Sequence, residues 1–119
     1  EVLPMSYFLV SPKFCDLVSV FIKVEAITLY PFVISREPMD DITKNHEKIH
    51  LAQQAELLVL GFYLMYVWYW WRGMKKFEGS KRQEMLAYRN IPFEREAYQY
   101  QMDPRYPIKR KAYSWWSFR

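Results

Sequence analysis

His46 and His50 are the only histidines in the chain, and they flank a glutamate in Asn45-His46-Glu47-Lys48-Ile49-His50. On a helix, positions i and i+4 share one face with roughly 5–6 Å between Cβ atoms, so both imidazoles can close on one tetrahedral zinc ion. Glu47 then lies beside a water on that ion, where a carboxylate can take its proton. The chemistry open to this H-E-x-x-H spacing is metal-assisted hydrolysis. The competing reading is a pair of solvated histidines on either side of a Glu-Lys pair on a helix surface.

Two imidazoles do not complete such a site: a third protein ligand is needed, with the fourth position left to water. The segment Pro92-Phe93-Glu94-Arg95-Glu96-Ala97-Tyr98 resembles the third-ligand helix of the gluzincin peptidases, whose pattern is Phe-Glu-x-x-Ala-Asp. Aligned on Phe93 and Ala97, the resemblance implies Glu94 as the third zinc ligand, with Glu96 as the fallback. Tyr98 departs from the pattern, because the aspartate expected there orients a ligand histidine. Some other group must hold the imidazoles, and Gln53, Gln54 and Glu56 lie within a turn or two of His50. Over roughly residues 40–103 the whole arrangement is similar to the minimal gluzincins, very small proteins of zincin fold. That resemblance implies peptide hydrolysis with Glu47 as general base and Zn2+ as cofactor. Tyr88, Tyr98 and Arg89 are candidates for steadying the oxyanion.

Elements must bring these residues together. Ser11-Pro12 is a helix start, and Phe14, Leu17, Val18 and Phe21 continue a helical stripe, predicting an amphipathic helix over 12–23. Residues 26–34 are β-branched and aromatic but interrupted by Pro31, which reads either as an edge strand or as a short hydrophobic hairpin. An edge beside the metal would offer an extended substrate somewhere to lie. Asp40 and Asp41 can cap the motif helix, which contains no proline and is expected to run from about 42 to 76. A short helix over 81–88 and another opening at Asn90-Ile91-Pro92 follow. The expected fold is therefore α+β, mainly α: a minimal zincin-like domain with a long active-site helix, a short edge strand or hairpin, and a second helix bearing the glutamate. Residues 1–103 form that domain and 104–119 a basic aromatic tail.

Composition bears on partners. The chain has 119 residues, enough for one domain, and aromatics supply 19% of them. Rings with polar tips suit surfaces half in lipid headgroups or buried against a partner. Residues 1–71 carry 5 Lys/Arg against 8 Asp/Glu, and residues 72–119 carry 12 against 5, so the halves bear −3 and +7. The basic half suits an anionic membrane, an acidic subunit or nucleic acid, although no recognised nucleic-acid fold accompanies it. Residues 57–71 hold no charge, but fifteen residues of helix span only about 22 Å, short of the ~30 Å hydrocarbon core. Their terminal Tyr and Trp, followed by Arg72, Lys75 and Lys76, read as an interfacial anchor. Cys15 reads as a small buried apolar residue, and the start at Glu1 leaves room for a leader before it.

Two functions remain in view. One is a membrane-associated zinc metallopeptidase acting on peptides. The other is a non-catalytic structural or accessory subunit of a large membrane or virion-like assembly, keeping a zincin-like scaffold. Size, aromatic excess and the cationic tail favour the second, since a peptidase needs none of them.

Overall fold

The structure, a computed structural model, describes residues 6–18 and 26–119. It is α+β and mainly α, as the residue pattern predicts. A sheet of three strands, β1 (Tyr7–Val10), β2 (Ala26–Leu29) and β3 (Phe32–Ser35), has the order β1-β3-β2. β3 runs parallel to β1 and antiparallel to β2, pairing Thr28 with Val33 and Ile27 with Ile34. The apolar run at 26–34 is thus a hairpin turning at Tyr30-Pro31. Pro31 sits in the turn, where its missing N–H costs no ladder bond, and β2 is left at an edge. Between β1 and β2, α1 covers Pro12–Val18, with the Ser11 hydroxyl accepting from the Phe14 amide. The remainder of that expected helix, to residue 23, lies outside the described residues. Cys15 is buried.

The 36-residue α2, Asp41–Lys76, begins where Asp40 accepts from the Thr43 amide at 2.7 Å. It is not the continuous rod expected from the lack of proline. Leu58 has φ 54° and ψ 142°, so two helices meet there at a bend. Positive φ is strained for a leucine, and the surrounding packing explains why it is held. The bend lets the second half of α2 turn Phe62, Tyr66 and Tyr69 onto Phe93, with ring centroids 4.7, 6.4 and 6.2 Å away.

Helices α3 (Gln83–Arg89) and α4 (Pro92–Tyr100) return along α2. Gly73 allows the close approach to α3, since a Cβ there would lie 2.9 Å from the Ala87 Cα. Pro92 in the first turn of α4 supplies a helix start without wasting a donor. The main core gathers Phe62, Tyr69, Ile91, Phe93 and Trp115, and a second cluster joins Ile49, Ala97 and Tyr106. Residues 104–119, expected as a basic aromatic tail, fold back on α4 through α5 (Tyr106–Lys109) and a closing 3-10 turn (Ser114–Phe118). Arg110 and Trp115 are buried within that segment.

Candidate metal centre

The first half of α2 carries His46 and His50 one turn apart, and the first turn of α4 carries Glu94. Packing of the two helices leaves all three buried and brings their polar atoms to a point. His46 Nε2 lies 3.0 Å from Glu94 Oε1, His50 Nε2 lies 3.1 Å from Glu94 Oε2, and the two Nε2 atoms are 3.2 Å apart. Ligands about 2.0–2.1 Å from a tetrahedral zinc are separated from one another by about 3.3 Å. The two Nε2 atoms match that spacing, and each meets a different oxygen of Glu94.

Hydrogen bonds decide which ring atoms face it. Gln53 donates its amide nitrogen to Phe93 O at 3.1 Å and to Glu96 Oε1 at 3.0 Å, and both partners only accept. Its amide oxygen must therefore face His50 Nδ1, 2.8 Å away. Nδ1 of His50 then carries the hydrogen and Nε2 keeps its lone pair. Gln101 Oε1, 2.8 Å from His46 Nδ1, sets the same tautomer for His46. Asn45, beside His46 in sequence, holds that glutamine's segment by donating to Gln101 O and Asp103 O, both at 2.8 Å. With both rings neutral, three acceptors thus converge with no donor among them.

Such a triangle needs a positive charge. Burial works against a charged His50, but the Glu94 carboxylate and its hydrogen bond, with Glu47 behind, outweigh that and raise His50 to about 10. Burial also opposes ionisation of Glu94, yet the His50 charge and both imidazoles hold it far below the usual carboxylate range. A proton or a divalent cation can meet the demand. Two Nε2 lone pairs with fixed tautomers and a carboxylate form a donor set of the kind that holds a divalent metal.

Glu47 shares a group of potential ligand atoms with His46 and His50, all within 4.8 Å of one another. Thr28 of β2 donates to Glu47 Oε1 at 2.6 Å and so aims the carboxylate. Beside it opens a cavity of about 250 Å³ lined by Ile27, Thr28, Glu47, His50, Tyr63 and Tyr66, with Glu94 behind them. Two larger depressions, one along α3 and one under the C-terminal segment, lie apart from these ligands. No protein-family model, curated protein or solved structure matches the chain.

The other expected residues fall elsewhere. Glu96 faces away from the triangle, buried against Tyr106 OH at 2.7 Å and Arg110 Nε at 2.6 Å. Arg110 also reaches Glu56 Oε2 at 2.6 Å. Gln54 does not hold an imidazole; it clamps the hairpin, accepting from Tyr30 N at 2.8 Å and donating to Thr28 O at 2.7 Å. Tyr98 stands edge-on to His46, its hydroxyl 3.0 Å from that of Tyr88 and its ring under Arg89. None of those three lines the cavity, but Tyr88 does reach the site from behind: burial first, then the Glu94 carboxylate, push the pKa of its phenol up. Two phenols do line it, Tyr63 and Tyr66, and Tyr66 donates to Glu94 Oε2 at 2.8 Å; burial first, then Glu94, pushes its pKa up. Nothing in the local spacing marks Tyr66, Thr28 or Gln101, because each reaches the site only through the bend or the fold of a distant segment.

Proposed function

We propose that the protein is a zinc-dependent peptidase of the minimal gluzincin kind. The observation that carries this reading is the triangle of His46, His50 and Glu94, with lone pairs directed inward and Glu47 poised next to a cavity. A zinc ion held by His46, His50 and Glu94 would supply a Lewis acid toward a carbonyl and an acidified water. Glu47, aimed by Thr28, takes the proton of the attacking water and delivers it to the departing amine. Tyr66 stands on the cavity wall with its one phenolic hydrogen on Glu94 Oε2, and would have to turn it away from that carboxylate to serve a developing oxyanion. Burial together with the Glu94 carboxylate keeps that phenol protonated.

β2 limits how a peptide can lie. Gln54 and Tyr63 already occupy Thr28 O, and Gln54 also takes Tyr30 N. A substrate strand therefore cannot pair with β2 beyond Thr28, and the reading favours short stretches of peptide on that side of the scissile bond.

The test is metal content and turnover of the purified full chain. One zinc per chain, lost in His46→Ala, together with peptide hydrolysis lost in Glu47→Gln while zinc stays bound, is the expected pair of results. A chain that takes up no stoichiometric divalent metal overturns the reading. A second reading, a non-catalytic accessory subunit of a membrane or virion-like assembly, is favoured by the exposed apolar row on α2. Zinc binding without hydrolysis of any peptide in a mixed library would select it.

A further inference from the structure

The second half of α2 has two faces. Phe62, Tyr69 and Gly73 are buried against α3 and α4. On the opposite side Leu60, Leu64 and Val67 are 72%, 64% and 60% exposed, and Trp68 and Trp71 are 52% and 48% exposed. These five positions follow the i, i+4, i+7, i+8, i+11 spacing of a single helix face. A contiguous apolar strip of this kind marks a contact surface.

What covers it is indicated by the order of chemistry along the helix. Leucines come first, then the stacked Trp68 and Trp71 with centroids 5.6 Å apart, then Arg72, Lys75 and Lys76. Lys75 continues the same face, its ammonium 5.7 Å from the Trp71 ring. Over about 22 Å the strip passes from aliphatic to aromatic to cationic, the sequence of layers met on leaving a bilayer through its headgroups. No acidic residue occurs from 57 through 77, so nothing on the strip repels an anionic surface. Among the described residues no helix is long and apolar enough to cross a membrane.

We infer that this face binds an anionic lipid surface, the helix entering it at a tilt with its Leu60 end deeper and Lys75 at phosphate level. The surface does not involve the metal ligands, so this inference and the peptidase reading stand or fall separately.

Flotation of the full chain with vesicles of phosphatidylcholine, alone or mixed with phosphatidylglycerol, tests it. Binding to both is expected, stronger to the anionic mixture. Leu64→Glu, at an exposed position, should keep its helical circular dichroism and bind roughly tenfold more weakly or worse. Lys75→Gln should weaken binding about fivefold, and only on anionic vesicles. Failure of the wild-type chain to float overturns the inference, as does unchanged flotation of Leu64→Glu. So does a dimer that Leu64→Glu dissociates while neither form binds vesicles, which would make a second copy of the chain the occupant.

Discussion

At the residue scale, the proposed ligands His46, His50 and Glu94 depend on neighbours that stand outside the triangle. Gln53 links His50 to Glu96, and Glu96 in turn is held by Arg110 and Tyr106. Replacing Gln53 by Met keeps the length of the side chain but removes the acceptor for His50 Nδ1. Zinc affinity, measured by competition with a chromophoric chelator, should fall about 10–100-fold. Protons compete for the same site. With His50 raised to about 10, the metal-free chain near neutral pH holds a proton that zinc must displace. Apparent affinity should therefore climb about tenfold per pH unit until about pH 10, and titration calorimetry in buffers of different ionisation heat should count one proton released. Absence of that proton would contradict the assignment of His50. The same shift acts on folding without metal. A raised native value stabilises fully below the ordinary imidazole value of 6.5 and is lost as pH rises toward about 10. The chelator-treated chain should thus melt at falling temperature across that window.

At the scale of elements, α2 is decided by one strained position and one bare one. Leu58 is 77% exposed with φ at 54°, so its side chain contributes little packing while its backbone carries strain. Leu58→Gly should stabilise the chain by about 1 kcal/mol, read as a higher denaturant midpoint. A lower midpoint would show that the bend is not strained. Gly73 is the reverse case. An added methyl would meet the backbone of Ala87 at 2.9 Å, and backbone cannot swing aside as a flexible side chain does. Gly73→Ala should cost about 1–3 kcal/mol by the same measurement. The hairpin shows how elements share one amide: Gln54 satisfies both Thr28 O and Tyr30 N, and Thr28 in turn aims Glu47.

For the whole molecule, the C-terminal segment is a structural part of the site. Arg110 is 3% exposed and joins Glu56 of α2 to Glu96 of α4, while Trp115 packs 4.8 Å from Phe93. Removing the cation strands two carboxylates, one of them wholly buried. Arg110→Met should destabilise by about 3–5 kcal/mol and weaken zinc binding through Gln53, whereas Lys111→Met, at an exposed neighbouring position, should do neither. Equal effects of the two substitutions would mean that charge alone, rather than the buried bridge, matters. Substitution of Arg110 is followed most directly by thermal melting with and without added zinc.

Periodicity and local chemistry made much of this legible in the amino-acid order. The i, i+4 spacing of His46 and His50, the cap at Asp40 and the proline start of α4 all rest on contacts within a few residues, where helix geometry leaves little choice. The pairing of Glu94 with the imidazoles came from a resemblance, and its geometry came from packing. Other features had no local sign. Gln101 reaches His46 across 55 positions, Arg110 reaches Glu56 across 54, and the bend at Leu58 answers to the rings that must stack on Phe93. Such choices belong to tertiary structure because each is set by which surfaces become buried together, and the spacing of residues along a chain does not encode that directly.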